Sequence, residues 1–119
     1  MEAKAVNRFV GSSPRKMRLV IDLVRGLTVD RAIEVLHFQP KHASKDAEKT
    51  LRSAFSNLMN KDDNIKIEPG DAIIKECFVD VGPVAKRIQP APMGRAYRVR
   101  KRSCHITIIV ATKDVAAKN

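Results

Sequence analysis

Seven alternating positions near the carboxyl end, Arg98, Arg100, Arg102, Cys104, Ile106, Ile108 and Val110, change from cationic to aliphatic along one strand-patterned run. Side chains alternate between the two faces of a strand, so all seven share one side. One strand can carry both halves only if its aliphatic end lies on a core and its cationic end leaves that core. From Val81 to Lys113 there is no Asp or Glu. Residues 1–83 carry fourteen Lys or Arg against twelve acids, and residues 84–119 carry nine against one, so the net charge of +10 resides almost wholly in the last third. A field of one sign on one element destabilises a lone protein and attracts a polyanion. A charged edge that only keeps a protein soluble is usually mixed in sign, and this one is not.

The surrounding residues give the run a partner. Ala72 to Val81 is rich in Ile, Cys, Phe and Val and reads as a strand, with Tyr97 to Thr112 as its neighbour. Between them, Gln89, Pro90, Ala91, Pro92, Met93 and Gly94 form a tip: two prolines cannot donate to a ladder, and Gly94 can take a positive φ. The expected element is a hairpin over about residues 82–103 that grows out of a sheet. At about 3.3 Å per residue, a dozen residues beyond the sheet reach roughly 35–40 Å. A bare ribbon of that length is marginally stable in water, so a partner is expected to order it. The pairing register is left open.

The rest of the chain reads as a strand followed by three helices. Ala3 to Val10 is strand-like and ends at Gly11. Ser13 can cap a helix that has Pro14 in its first turn, where only an orphan N–H is given up. Met17, Val20, Ile21 and Val24 lie at i, i+3, i+4 and i+7, one face of that helix. Gly26 stops it as a left-handed cap. A second helix, Thr28 to Phe38, places Val29, Ala32, Ile33 and Leu36 inward and ends before Pro40. A third, about Lys41 to Asn60, has the stripe Ala43, Ala47, Leu51, Ala54, Phe55 and Leu58, with Glu48 and Arg52 as an i, i+4 pair. Lys61 to Asn64 is a polar turn, and Pro69-Gly70 is another. Residues 1–113 form one domain by length, and residues 114–119 are expected to fray.

Several function classes find no support. The first ten residues hold Glu2, Lys4 and Arg8 and no continuous apolar segment, so no secretory signal is expected. No apolar run approaches the roughly 18 residues of a membrane span. The basic residues follow a strand pattern, not the amphipathic helix of a membrane-surface protein. Cys77, Cys104 and His105 lack paired-ligand spacing, although one register would set the two cysteines face to face. His37 and His42 show no acid–base partner. No nucleophile elbow or phosphate loop is visible, so neither an enzyme nor a cofactor is expected.

A second basic cluster supports the polyanion. Arg15, Lys16 and Arg18 fall in the first turns of a helix, where the macrodipole disfavours cations and favours a phosphate. Phe9, Phe38, Phe55 and Phe78 sit in apolar patterns and read as core, leaving Tyr97 alone among the aromatics. Recognition is therefore expected to use phosphate and shape, not base stacking. A DNA-bending protein with proline-tipped β-arms is the rival reading, although such proteins are typically dimers with two arms.

The motifs Ser13-Pro14-Arg15-Lys16-x-Arg18-Leu19-Val20, Arg25-Gly26, Pro40-Lys41, Gly82-Pro83, Lys86-Arg87, Gly94-Arg95-Ala96 and Lys101-Arg102-Ser103-Cys104-His105-Ile106-Thr107 closely resemble the bacterial form of the ribosomal protein L twenty-two family of the large subunit. The match runs from about Lys4 to Val110. The resemblance implies an α+β fold, with three helices packed on a small three-stranded antiparallel sheet and a long protruding β-hairpin. It implies a monomer within the cytoplasmic ribosome that binds large-subunit ribosomal RNA and aids assembly. Its hairpin would line the nascent-peptide exit tunnel, next to ribosomal protein four of the same subunit. By that resemblance Arg8, Arg15, Lys16, Arg18, Lys86, Arg87, Arg95, Arg98, Arg100, Lys101 and Arg102 are the expected RNA contacts. Gln89 to Gly94 are the expected tunnel-wall tip. The family commonly has Pro-Arg-Ala-Lys before Gly-Arg-Ala, whereas this chain has Pro90-Ala91-Pro92-Met93. The implied tip is less positive and stiffer. Cys104 stands where the family usually has Ser.

Overall fold

The computed structural model describes residues 2–61, 66–90 and 92–112. Asp62 to Asn64 of the expected polar turn, the tip residue Ala91 and the tail 114–119 lie outside these. The elements run β1 (Glu2–Val10), α1 (Pro14–Val24), α2 (Val29–Phe38), α3 (Ala43–Asn60), β2 (Ala72–Val81), β3 (Ala85–Pro90), β4 (Ala96–Lys101) and β5 (Cys104–Thr112), with single 3₁₀ turns at Pro69–Asp71 and Pro92–Gly94. This is the α+β arrangement expected, three helices and a three-stranded antiparallel sheet plus a separate two-stranded hairpin.

Local chemistry sets the helix ends. The Lys16 N–H donates to Ser13 Oγ at 3.4 Å, and Pro14 follows in the first turn. Gly26 turns the chain out of α1 at φ +81°, a conformation that a Cβ would strain. Met17, Val20, Ile21 and Val24 of α1, Val29, Ala32 and Leu36 of α2, and Ala47, Leu51, Ala54 and Leu58 of α3 are all buried. The Glu48–Arg52 pair forms at 2.8 Å, and Glu48 also lies 3.6 Å from His37, the acidic partner that was not visible in the sequence.

β5 is the central strand, in the order β1-β5-β2 and antiparallel to both neighbours. Cys104, Ile106, Ile108 and Val110 are fully buried on its inner face. α3 packs over β1 and β5, and α1 packs over β2. The outer edge of β2 is covered by its own device. Arg18 Nη2 donates to the Val79 carbonyl at 3.2 Å, Arg25 Nη2 donates to that of Cys77 at 2.8 Å, and the Ile74 N–H bonds the Leu27 carbonyl. Carbonyls that would template another strand are thereby occupied.

The structure corrects two expectations and decides one point that the sequence left open. The strand expected to run unbroken from Tyr97 to Thr112 is two strands, β4 and β5, divided at Arg102-Ser103. The division has a steric cause. The Gly82 N–H donates to the Ser103 carbonyl at 3.0 Å, and Ser103 Oγ donates to the Pro83 carbonyl at 2.6 Å. A Cβ on Gly82 would lie 2.6 Å from Ser103 Oγ. Pro83 then has no N–H with which to continue the ladder. Secondly, Cys77 pairs with Ile108 and Cys104 with Val81, so the two cysteines do not face each other. Thirdly, Phe9, Phe38 and Phe78 are not core residues; they are 69 %, 81 % and 42 % exposed. Phe38 closes α2 beyond its last inward position, and Phe78 points to the opposite face from Cys77 and Val79.

β3 and β4 form a ribbon that leaves the body. The Cα radius of gyration is 17.4 Å. A compact chain of this length would have about 13.5 Å. The longest dimension is 66 Å against 24 and 23 Å for the others. Gly82→Ala is expected to cost about 1–2 kcal/mol, a fall in Tm of roughly 5–10 °C, because the Ser103 backbone also approaches. Combining it with Ser103→Ala should cost less than the sum of the two single changes. Additive losses in thermal melts would show that the contact is not what defines this crossing.

Candidate nucleic-acid interface

The register of the hairpin, open in the sequence, decides where its charges stand. Ala85 pairs with Lys101, Lys86 with Arg100, Arg87 with Val99, Ile88 with Arg98, Gln89 with Tyr97 and Pro90 with Ala96. Lys86, Arg98 and Arg100 therefore share one face with Ile88. Arg87 and Lys101 share the other with Val99 and Tyr97. Lys86 stands directly opposite Arg100, an arrangement that destabilises a sheet in isolation. All of these cations are exposed. Among the described residues the ion pairs are Arg25–Asp22, His37–Glu48, Arg52–Glu48 and Lys75–Glu2, and none of them involves a hairpin cation.

The base of the hairpin meets the start of α1. A crease between them is lined by Ser13, Pro14, Arg15, Arg18, Val81, Val84 and Arg102. A wider groove beside it is lined by Gly11, Ser13, Pro83 to Ala85 and Arg100 to Ser103. The structure thus joins the two basic clusters into one surface. Arg15, Arg18 and Arg102 gather at the crease, while Lys86, Arg87, Arg95 and Arg98 extend along the arm. Arg8 is exposed at the end of β1, three residues before Gly11. Arg18 has a second duty as the donor that covers the β2 edge.

Lys16 opens onto a neighbouring hollow with Ser13, Leu19, Lys41 and His42. Lys41 and His42 were not singled out as contacts in the sequence. The cluster Lys41-His42-x-x-Lys45 at a helix start was the available signal, the same pattern as the one read at Arg15-Lys16-x-Arg18. The exposed phenylalanines were missed as well. At the tip, Pro92–Gly94 makes a tight turn with both Met93 (φ 65°) and Gly94 (φ 72°) in the left-handed region. The positive φ expected at Gly94 is present. Met93 shares it and is 93 % exposed. The first cation after the tip is Arg95.

Among the described residues, no group of three His, Cys, Asp or Glu is placed to hold a metal. No helix among the described residues is long and apolar enough to cross a membrane. Burial pushes the Cys77 and Cys104 thiols above their ordinary range, so the fold favours their protonated form. The surface therefore offers a cationic arm, a cationic crease and a helix start, arranged to neutralise phosphates.

The family model described as ribosomal protein L22p/L17e matches residues 5–111. The chain belongs to that family. The matched span takes in the whole hairpin and both basic clusters. Among its relatives is the large ribosomal subunit protein uL22 of Chlorobium phaeobacteroides (strain BS1), 53 % identical over 112 residues that cover 94 % of this chain and 96 % of that protein. The uL22 of Chlorobaculum tepidum is 50 % identical over 110 residues, 92 % of each chain. That of Bacteroides fragilis (strain ATCC 25285) is 50 % identical over 105 residues, 88 % of this chain and 76 % of that protein. The L22p/L17e assignment removes the support for the DNA-bending reading.

Two outcomes follow from the site. Arg18→Ala should destabilise the free protein by about 1 kcal/mol through the exposed Val79 carbonyl, whereas Arg15→Ala should leave its Tm unchanged. Equal Tm values for the two variants would contradict the edge-covering role. Both thiols should react slowly with a disulfide reagent at pH 8 in the folded protein and rapidly after unfolding. Their contribution to stability is present below the ordinary thiol range and is lost as pH rises through the raised folded values. Rapid native-state labelling would show that the thiols are not shielded.

Proposed function

We propose that the protein binds large-subunit ribosomal RNA through the hairpin, the crease at its base and the start of α1, and that the hairpin tip lines the nascent-peptide exit tunnel. Family membership supports the coarser statement that it is a structural constituent of the large ribosomal subunit, a non-enzymatic role. The observation that carries the finer reading is the hairpin's exposed cations, crowded on both faces with no acidic partner among the described residues. Threading between RNA segments would supply phosphates to both faces at once. Counterion release drives such binding, and the preformed body limits the ordering cost to the arm.

The contacts proposed are Arg8, Arg15, Lys16, Arg18, Lys86, Arg87, Arg95, Arg98, Arg100, Lys101 and Arg102. The proposed wall residues are Gln89 to Gly94, with ribosomal protein four and the nascent peptide as neighbours. Met93, held outward by a left-handed backbone, is the side chain best placed to meet a passing peptide.

Replacing Arg98, Arg100 and Arg102 together with Ala should weaken binding to protein-free large-subunit ribosomal RNA. The slope of log affinity against log salt should become shallower by about 2–3. An unchanged slope would remove these residues from the phosphate contacts. In the free protein, amides around Gln89 to Met93 should exchange fast and become protected in the subunit. A photo-crosslinking residue at Met93 should capture a stalled nascent chain in purified ribosomes. Absence of any such crosslink would count against the tunnel position.

A further inference from the structure

Between Asn7, which pairs with Ile106, and Val10, which pairs with Cys104, β1 bulges, and Arg8 and Phe9 together stand opposite His105. Bulges at sheet edges re-aim side chains. Phe9 sits there at φ 59°, in the left-handed region where a residue with a bulky side chain is strained. The body gains little burial in return, since most of the ring is exposed. What holds the conformation is His105. The Phe9 N–H donates to His105 Nδ1 at 3.0 Å, and the two rings meet edge to face with centroids 5.1 Å apart at 88°. An observed strained backbone that exposes an aromatic ring points toward function.

We propose that Phe9 is a stacking platform for an unpaired nucleobase of the bound RNA. The inference rests on the RNA-binding reading above and deepens it. Charge complementarity selects the occupant. Arg8 is adjacent on one side. On the other, Gly11 and Ser13 line the groove shared with Arg100, Lys101 and Arg102. Gly11 stands two residues beyond Phe9, so a strand whose phosphates lie in that groove would run beside the end of β1 that carries the ring. Asp80, opposite His105 on the far strand, disfavours a path across the sheet and directs the polyanion along the β1 edge. Every base has a π-face, so such a contact adds affinity without demanding a sequence. It would also supply the stacking that the composition of the chain hides, because Phe9, Phe38 and Phe78, three of the four phenylalanines read as core, are on the surface.

The chain contains no Trp, so Phe9→Trp introduces a single fluorophore at the site. Titration with transcribed large-subunit ribosomal RNA should quench its emission. Phe9→Leu should weaken binding roughly 5- to 100-fold with the salt slope unchanged, and Phe9→Tyr should bind like the parent protein. If Leu is not tolerated at this backbone conformation, as a thermal melt would reveal, the Trp emission decides alone. Unchanged emission, or parental affinity in a folded Phe9→Leu protein, overturns the proposal while leaving RNA binding intact. A loss that appears only when other ribosomal proteins are added overturns it in favour of a protein contact. If the parent protein shows no affinity for the RNA, the RNA-binding reading fails and this inference with it.

Discussion

Lys86 and Arg100 face each other across a two-stranded ribbon that has water on both sides. The antiparallel register places the pair on one face, and Arg98 on the same face adds to the repulsion. The body does not relieve it: among the described residues its carboxylates make ion pairs only with Arg25, His37, Arg52 and Lys75, and none with a cation of the arm. Coulomb repulsion in the free state becomes attraction once phosphates interpose. On the proposed RNA-binding reading, the free conformation of the arm is the less favourable one.

The body, in contrast, is conventional in its energetics. A central strand with Cys104, Ile106, Ile108 and Val110 fully buried is clamped between β1 and β2 and roofed by α1 and α3. Two arginines occupy carbonyls of the β2 edge that would otherwise template aggregation. Arg18 belongs to both worlds: its guanidinium closes the sheet edge while its position on α1 puts it at the cationic crease. A cation already fixed by a backbone carbonyl loses less freedom when a phosphate arrives. The same logic applies to Phe9, whose exposed ring is already oriented by His105.

Much of this was legible from residue order. The 3.6-residue spacing of Met17, Val20, Ile21 and Val24 located α1, and Ser13-Pro14 and Gly26 located its ends, because capping is local chemistry. The change from Arg98 to Val110 announced a strand that leaves its core. The break at Ser103 was hidden, since it arises from the close approach of Gly82, twenty-one residues away in sequence. The aromatic residues misled because hydrophobicity reports only that burial is favourable, not which face a neighbour covers. Phe78 follows the strand alternation outward, and Phe9 turns outward at a bulge that no periodicity encodes. Register, and with it the separation of Cys77 from Cys104, depends on how β2 and β5 align and leaves no local signature. The basic site was legible as two clusters, but their union at the base of the arm required the fold.

The Gly82–Ser103 crossing has one more consequence. Core and ribbon meet there at one glycine contact and two hydrogen bonds. Farther out, the described residues from Ile88 to Arg98 are all exposed and none belongs to the buried core, so that part of the ribbon can change composition while the interior stays the same. Pro92 and Met93, with Ala91 the positions at which the sequence departs from the pattern it resembles, belong to that part of the ribbon. Evolution can in this way retune the outermost loop as a separable module, with selection acting on it through the assembled particle and not through the folding of the chain.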